Sequence, residues 1–309
     1  MRRLLIPLAL LILIAPLVAK SWPEVRIYSA DGEELSLAEL TSRLQACDVV
    51  FFGEWHGHPS IQALQVDVFD SLAQGNGPLT LSLEMFERDQ QGRLDSLRAG
   101  AWDYDTFAAL PRTWSSLNHP LMRHALEEGS YIIAANVPRR LASRVAHEGT
   151  AWLDSLQAPE SHWVADTLHV WDNDYQRRFF ETMTGAPELA DDMPPESRAR
   201  IRNIYAAQCL KDDTMAWSIA THMLLSSHSR PRVLHICGDF HSRAGLGTVS
   251  RLRQRLPHLK IAIIAPIAVE DEELNLPESA KSEGDFLLVL PPPEPYEDAP
   301  RRRPMPGMN

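Results

Sequence analysis

Six short apolar runs punctuate this chain: Val49–Phe52, Leu79–Leu83, Tyr131–Ala135, Val233–Cys237, Ile261–Ala265 and Phe286–Leu290. Short β-branched or apolar runs bounded by turn residues suit strands buried on both faces, and such strands belong to parallel sheets. Helical spacing fills the gaps. Leu37, Leu40 and Leu44 follow a capping box of Ser36 and Glu39, and Ile61, Leu64, Val68 and Leu72 follow Ser60. Strand, helix, strand predicts an α/β fold with a mostly parallel central sheet flanked by helices. The rhythm breaks over residues 151–227, where the longest helical pattern starts after Pro194-Pro195 and runs through Ile201, Ile204, Gln208, Met215 and Ile219. This predicts a helical insertion between the two sheet halves, within one domain spanning residues 22–290. Its tryptophans and charged faces offer a lid or a dimer surface, although such stripes ordinarily divide between core and solvent.

Polar residues gather where the runs end. The first leads into Gly53-Glu54-Trp55-His56-Gly57-His58, the second into Glu84-Met85-Phe86-Glu87, the third into Asn136-Val137-Pro138-Arg139 and the fourth into Gly238-Asp239-Phe240-His241. In a parallel sheet these points share the carboxyl edge, where open α/β folds bind ligands. The pattern of strand, Gly, acid, aromatic, His occurs twice, and the glycines are expected to allow a sharp turn over the strand end. Two imidazoles with carboxylates in one crevice can hold a divalent metal or share protons. His58 either extends the site or caps the next helix, and Glu87 and Arg88 are expected at an exposed helix start. Asn136 and Arg139 are read as a helix cap and surface residue or as hydrogen-bond donors and an anion clamp, with Arg243 a second clamp. Asp213 is either a solvated helix residue or a partner that orients one of the histidines, the second being the expectation, and His235 is expected to lie in the core.

Met1-Arg2-Arg3 followed by an apolar stretch from Leu4 to Val18 has the layout of a secretory signal. Residues 1–21 are therefore read as an export signal cleaved after Ala19 or Ser21, too short and proline-broken to span a membrane stably. Without residues 1–19 the chain carries 28 basic and 41 acidic residues, a net charge of −13. That balance excludes nucleic acid or an anionic membrane as the main partner. Cys47, Cys209 and Cys237 are widely spaced, lack zinc-cluster spacing and permit one disulfide at most, with buried free thiols the expectation over a bridge, and the proline-rich residues 291–309 are read as a disordered tail.

One ordered set of motifs carries a family likeness. Phe52-Gly53-Glu54-x-His56, Glu84-Met85-Phe86 with Gln90, Asn136-Val137-Pro138-Arg139, Asp213-x-Met215-Ala216 and Gly238-x-x-His241 together resemble the ChaN family of haem-binding uptake proteins. The likeness covers roughly Cys47 to Pro266, and the related Tiki and TraB proteins share the paired Gly-x-x-His and intervening Glu. The resemblance implies iron or haem handling, with haem held between two subunits of a homodimer and a tyrosine on the iron. Characterised members are lipoproteins; no cysteine stands near the export boundary here, so a soluble periplasmic protein is expected. No tyrosine occupies Asn118-His119-Pro120, which leaves His119 as a substitute ligand and Tyr104, Tyr131, Tyr175 and Tyr205 as candidates.

Two functions follow. The first is haem capture, with His56, His58, Asn136, Arg139, His241, Arg243 and His119 around the cofactor. The second is a Tiki-like metal-dependent hydrolase, with manganese, cobalt or zinc on His56, Glu84 and His241, and with Glu54 and Glu84 as catalytic carboxylates.

Overall fold

The computed structural model describes residues 25–75, 77–108, 119–228 and 230–292, with the side chains of Ala108 and His119 excepted. The expected export signal and nearly all of the expected tail lie outside these residues. The elements in chain order are β1 (Arg26–Ser29), β2 (Glu34–Leu35), α1 (Leu37–Leu44), β3 (Val49–Glu54), α2 (Pro59–Ala73), β4 (Leu79–Glu87), α3 (Gln91–Arg98), α4 (Tyr104–Ala108) and α5 (His119–Glu127). They continue with β5 (Ile132–Asn136), α6 (Arg139–Glu148), α7 (Asp174–Thr184), α8 (Pro195–Leu225), β6 (Arg232–Gly238), α9 (Gly247–Arg255), β7 (Ile261–Ala268) and β8 (Phe286–Leu290).

The eight strands form one sheet in the order β2-β1-β8-β7-β3-β6-β4-β5. The six apolar runs are its parallel strands, β8 through β5. β1 joins antiparallel to β8, and the two-residue β2 pairs with β1. The capping box of Ser36 and Glu39 opens α1 as expected. Helix α2 begins one residue earlier than its sequence signal, at Pro59, because proline is pre-shaped for a first helical position.

Each face of the sheet is covered by helices. Val50, Phe52, Leu81, Leu83, Leu234 and Ile236 point to one side and pack with α1, α2, α3 and α5. Val49, Phe51, Val233 and Cys237 point to the other and pack with α8 and α9. Residues 151–227 contain helices and turns but no strand, and α8 is the main element of that second layer rather than a peripheral lid. Its middle is buried on every side, from Tyr205 to Ala220, between α6, α9 and strand β5. At the sheet's outer edge the Gln91 amide pairs with β5 as an added strand would: Nε2 donates to the Ile132 carbonyl at 2.9 Å and Oε1 accepts from the Ala134 N–H at 2.8 Å. This closes an edge that would otherwise invite another chain.

The strand order sets the site. From β3 the chain crosses to β4 over one face, and from β6 it crosses to β7 over the other, yet β3 and β6 are neighbours. Their carboxyl ends therefore diverge, opening a crevice at the switch point. Phe52, fully buried in β3 beside it, tests the core. Phe52→Ala is expected to lower unfolding free energy by about 3–5 kcal/mol in urea, with little change in the denaturant slope.

Candidate functional site at the carboxyl edge

Glu54 is the last residue of β3 and shares a face with Phe52, so its carboxylate points toward α2 and is buried. There Gln65 Nε2 donates to Glu54 Oε2 at 2.7 Å, and Glu54 Oε1 lies 2.9 Å from His56 Nδ1. The His56 side chain is 66% exposed, whereas that of Glu54 is 1% exposed. The ring is thus held at its base and open at its tip. Its hydrogen bond to Glu54 raises the His56 pKa; burial opposes this and the Glu84 charge adds to it.

The second half of the site comes from the opposite face. A register shift in β4 after Leu83 frees Glu84 from the ladder. Glu84 Oε2 then accepts from the Gly238 N–H at 2.7 Å while Oε1 lies 3.2 Å from His241 Nε2. The other ring nitrogen, Nδ1, is 2.7 Å from Asp212 Oδ1. Asp212 also accepts from Tyr175 at 2.6 Å and from Thr248 at 2.8 Å, and the Gln208 amide lies 3.2 Å from Nε2. Burial works against charge on His241, but Glu84 and Asp212 outweigh it and hold its pKa at about 10. Burial likewise opposes charge on the two acids, and His241 keeps both below the ordinary carboxylate range. His241 is therefore an imidazolium between two carboxylates.

The two halves meet at Gly238. Neither Gly53 nor Gly238 has the positive φ expected of a glycine turn; close approach is what requires them. A Cβ on Gly53 would come within 3.1 Å of Asp239, and one on Gly238 would meet His56 Nε2 at 3.3 Å and Glu84 Oε2 at 3.6 Å. The repeated motif thus lets two turns touch rather than bend.

The other expected residues are distributed unevenly. His58 takes the N-cap position of α2, its ring packed edge-on to Trp55. Asn136 turns back on itself, accepting from the Val137 N–H at 2.9 Å. Arg139 is exposed at the start of α6. Arg243 is engaged by Asp239 and by the Pro266 carbonyl, the latter at 2.7 Å. The side chain of His119 and the neighbouring Asn118 lie outside the described residues. His235 is a core histidine, 2.9 Å from Ser82, with its pKa lowered to about 4 by burial.

Asp213 does not orient a site histidine. It holds His169, through that residue's N–H and its ring, and pairs with buried Arg251 at 3.1 Å. The adjacent Asp212 serves His241, because one helical step turns it toward the sheet edge. Asp212, Gln208, Thr248 and Gln65 were missed from the sequence, and Tyr175, a candidate iron ligand there, instead donates to Asp212. Two acids side by side in a helix that is apolar on both flanks were the available signal for Asp212. Of the tyrosines, Tyr175 and Tyr205 are buried in an aromatic cluster, Tyr131 stacks on His222, and Tyr104 lies under Arg123.

His56, Glu84 and His241 do come together, but as an ion-paired cluster. Both His241 nitrogens have carboxylate partners, so neither offers a lone pair to a metal. Among the described residues no group of three or more His, Cys, Asp or Glu is arranged to hold a metal ion. A cleft of about 490 Å³ is bounded by Trp55, the residue before His56, and by Arg243, Ile267, Ala268 and Glu283, without the His56 or His241 ring in its lining. A larger one, about 580 Å³, lies along α8 away from the His56 and His241 rings, so volume alone does not mark the chemistry. Among the described residues no helix is long and apolar enough to cross a membrane.

Residues 40–252 match the family model described as haem-binding uptake, Tiki superfamily, ChaN. A solved structure of cofacial haem binding to ChaN of Campylobacter jejuni is similar at a TM-score of 0.63 and 18% identity, covering 86% of this chain and 97% of that one. The type III effector HopBA1 aligns at a TM-score of 0.45 and 10% identity, over 81% of this chain and 91% of its own, too distant to bear on function. No curated protein matches the sequence.

The cluster sets a pH dependence. Because the His241 pKa is raised from 6.5 to about 10, its contribution to stability is complete below about pH 6.5 and is lost as pH rises through about 10. The depressed Glu84 and Asp212 act in the opposite sense: their contribution is present above the ordinary carboxylate range and lost as pH falls through their lowered values. In nitrogen-detected NMR the His241 ring should remain imidazolium at pH 8, and Asp212→Asn should bring its titration down. A ring titrating near its ordinary value in the native protein would contradict the ion-pair assignment.

Proposed function

Because this chain belongs to the ChaN family of haem-binding uptake proteins in the Tiki superfamily, we propose that it binds haem for iron uptake at the carboxyl edge of its sheet, beside His56. The observation that carries this reading is the exposed His56 ring anchored on buried Glu54. A carboxylate on Nδ1 fixes the tautomer that leaves the Nε2 lone pair outward, the pairing found behind metal-bound histidines. The space left by Gly238 keeps that tip accessible.

The residues present suit a haem. Trp55 and the apolar side chains Ile267 and Ala268 offer packing surface in the cleft they bound, whose volume of about 490 Å³ falls within the usual range of ligand sites. Arg139 is the exposed guanidinium available to a propionate. It follows β5, three strand spacings or roughly 14 Å from β3. Arg243 is engaged within the protein, so it shapes the cleft instead. Bound haem would supply an iron centre able to accept a side-chain donor. His241 lends its positive charge to the cluster and keeps Glu84 ionised beside His56.

Metal-dependent hydrolysis on His56, Glu84 and His241 has no supporting observation, since His241 is locked between acids. The charged and apolar segment from Met1 to Ser21 supports export to the periplasm. Protein recovered from a periplasmic fraction should begin at Lys20 or Trp22; cytosolic protein retaining Met1 would count against export.

Haemin added to the purified protein should give a saturable Soret shift at micromolar concentration. His56→Ala should weaken binding at least about tenfold and Glu54→Gln by about tenfold. Binding should also fall as pH drops through the raised His56 pKa, because a protonated Nε2 cannot ligate iron. No Soret shift would refute haem binding, whereas a shift unaffected by His56→Ala would refute only the location.

A further inference from the structure

The cavity of about 580 Å³ along α8 contains none of Glu54, His56, Glu84, Asp212 and His241. One wall is a single stripe of that helix, Ser218, Thr221, His222 and Leu225, at the i, i+3, i+4, i+7 spacing of one helical face. Seven residues of helix span roughly 10 Å, so the cavity is an elongated groove. Its two ends differ in chemistry.

At the inner end stands Arg88, which the sequence places at an exposed helix start and the structure draws inward. Its Nη1 donates to Ser218 Oγ at 2.8 Å, Nε and Nη2 reach the His162 carbonyl at 3.3 Å, and the guanidinium lies 4.2 Å from the Trp217 ring centre. All these partners are neutral. Among the described residues no carboxylate acts on Arg88, and burial draws its pKa down to about 10. A half-buried guanidinium without an acid is an unusual expense in a chain this acidic, since buried charges are ordinarily paired. Arg98 lines the same groove, with its guanidinium 5.2 Å from the Tyr131 ring centre, and Glu128 is the single acid among the lining residues.

At the outer end the groove opens on Leu225, which is 79% exposed beside Leu224 at 68%. These are two of the three large apolar side chains left exposed among the described residues. Leu79 and Ile133 continue the apolar lining along the sheet side. An unpaired cation inside and an apolar lip outside match a molecule with an anionic head and a greasy chain.

We propose that this groove is a second ligand site, for an amphiphilic carboxylate of the medium-chain fatty-acid class, with the carboxylate on Arg88 and the chain lying along α8 toward Leu225. The assignment shares no residue with the His56 site and stands independently of haem binding there. Sodium decanoate, titrated calorimetrically into the full protein below its micellar concentration, should bind saturably at one site. Arg88→Gln should weaken it at least about tenfold, the value of one charge-assisted hydrogen bond. Leu225→Asp, at a solvent-exposed position that the fold tolerates, should weaken it comparably, and decanol, which lacks the charge, should bind correspondingly less well. If Arg88→Gln fails to fold, Arg98→Gln and Leu225→Asp decide the matter. Absence of decanoate binding, equal binding by the folded variants, or mole-for-mole displacement by haemin would overturn the proposal.

Discussion

The buried imidazolium of His241 is the point on which the carboxyl edge depends. Asp212 reaches it from α8 and Glu84 from β4, while Tyr175 of α7 and Thr248 of α9 fix Asp212 from two further directions. Four elements thus converge on one charge, three of them distant from it in sequence. Removing one partner would leave the others buried and uncompensated, a loss of about 3–5 kcal/mol in comparable clusters. The insertion is consequently part of the site's construction: Tyr175 and Phe179 also pack on Phe240, within the turn that carries His241.

A second constraint acts beside the first. β3 and β6 lie side by side with their register matched from Val49 and Val233 to Glu54 and Gly238, and each carries a glycine at its carboxyl end. Side chains at Gly53 or Gly238 would collide across the turns, so both positions are emptied to let Glu54, His56 and Glu84 approach. The outcome is a division of labour between two histidines of similar sequence context. His241, buried among acids, is held charged and inaccessible; His56, on a single buried acid, keeps an open tip. Exposure, not the motif, separates a structural histidine from one free to meet a ligand.

Much of this could be read from the chain because strand burial and helix capping are local. All six parallel strands announced themselves as short, mainly apolar or β-branched runs, while the antiparallel β1 and β2 were too short to show a pattern. Placing Glu54, His56, Glu84 and His241 at one edge required only that the sheet be parallel. Choosing between Asp212 and Asp213 required knowing which way each faces on α8, a rotation of about 100° per residue that is decided by how the helix packs. Arg88 was misplaced for a related reason: a charged residue after a strand reads as exposed until Ser218 and Trp217 arrive from a helix 130 residues away.

The sequence by itself determined the α/β class, the parallel strands and the set of polar residues at their ends, since these follow from periodicity and turn chemistry within a few residues. The tertiary structure alone decided which of those residues pair, which histidine carries a permanent charge, and where an arginine is left without an acid. Those outcomes depend on burial and on distances of about 3 Å between segments far apart in the chain, and such distances exist only once the two helical layers close on the sheet.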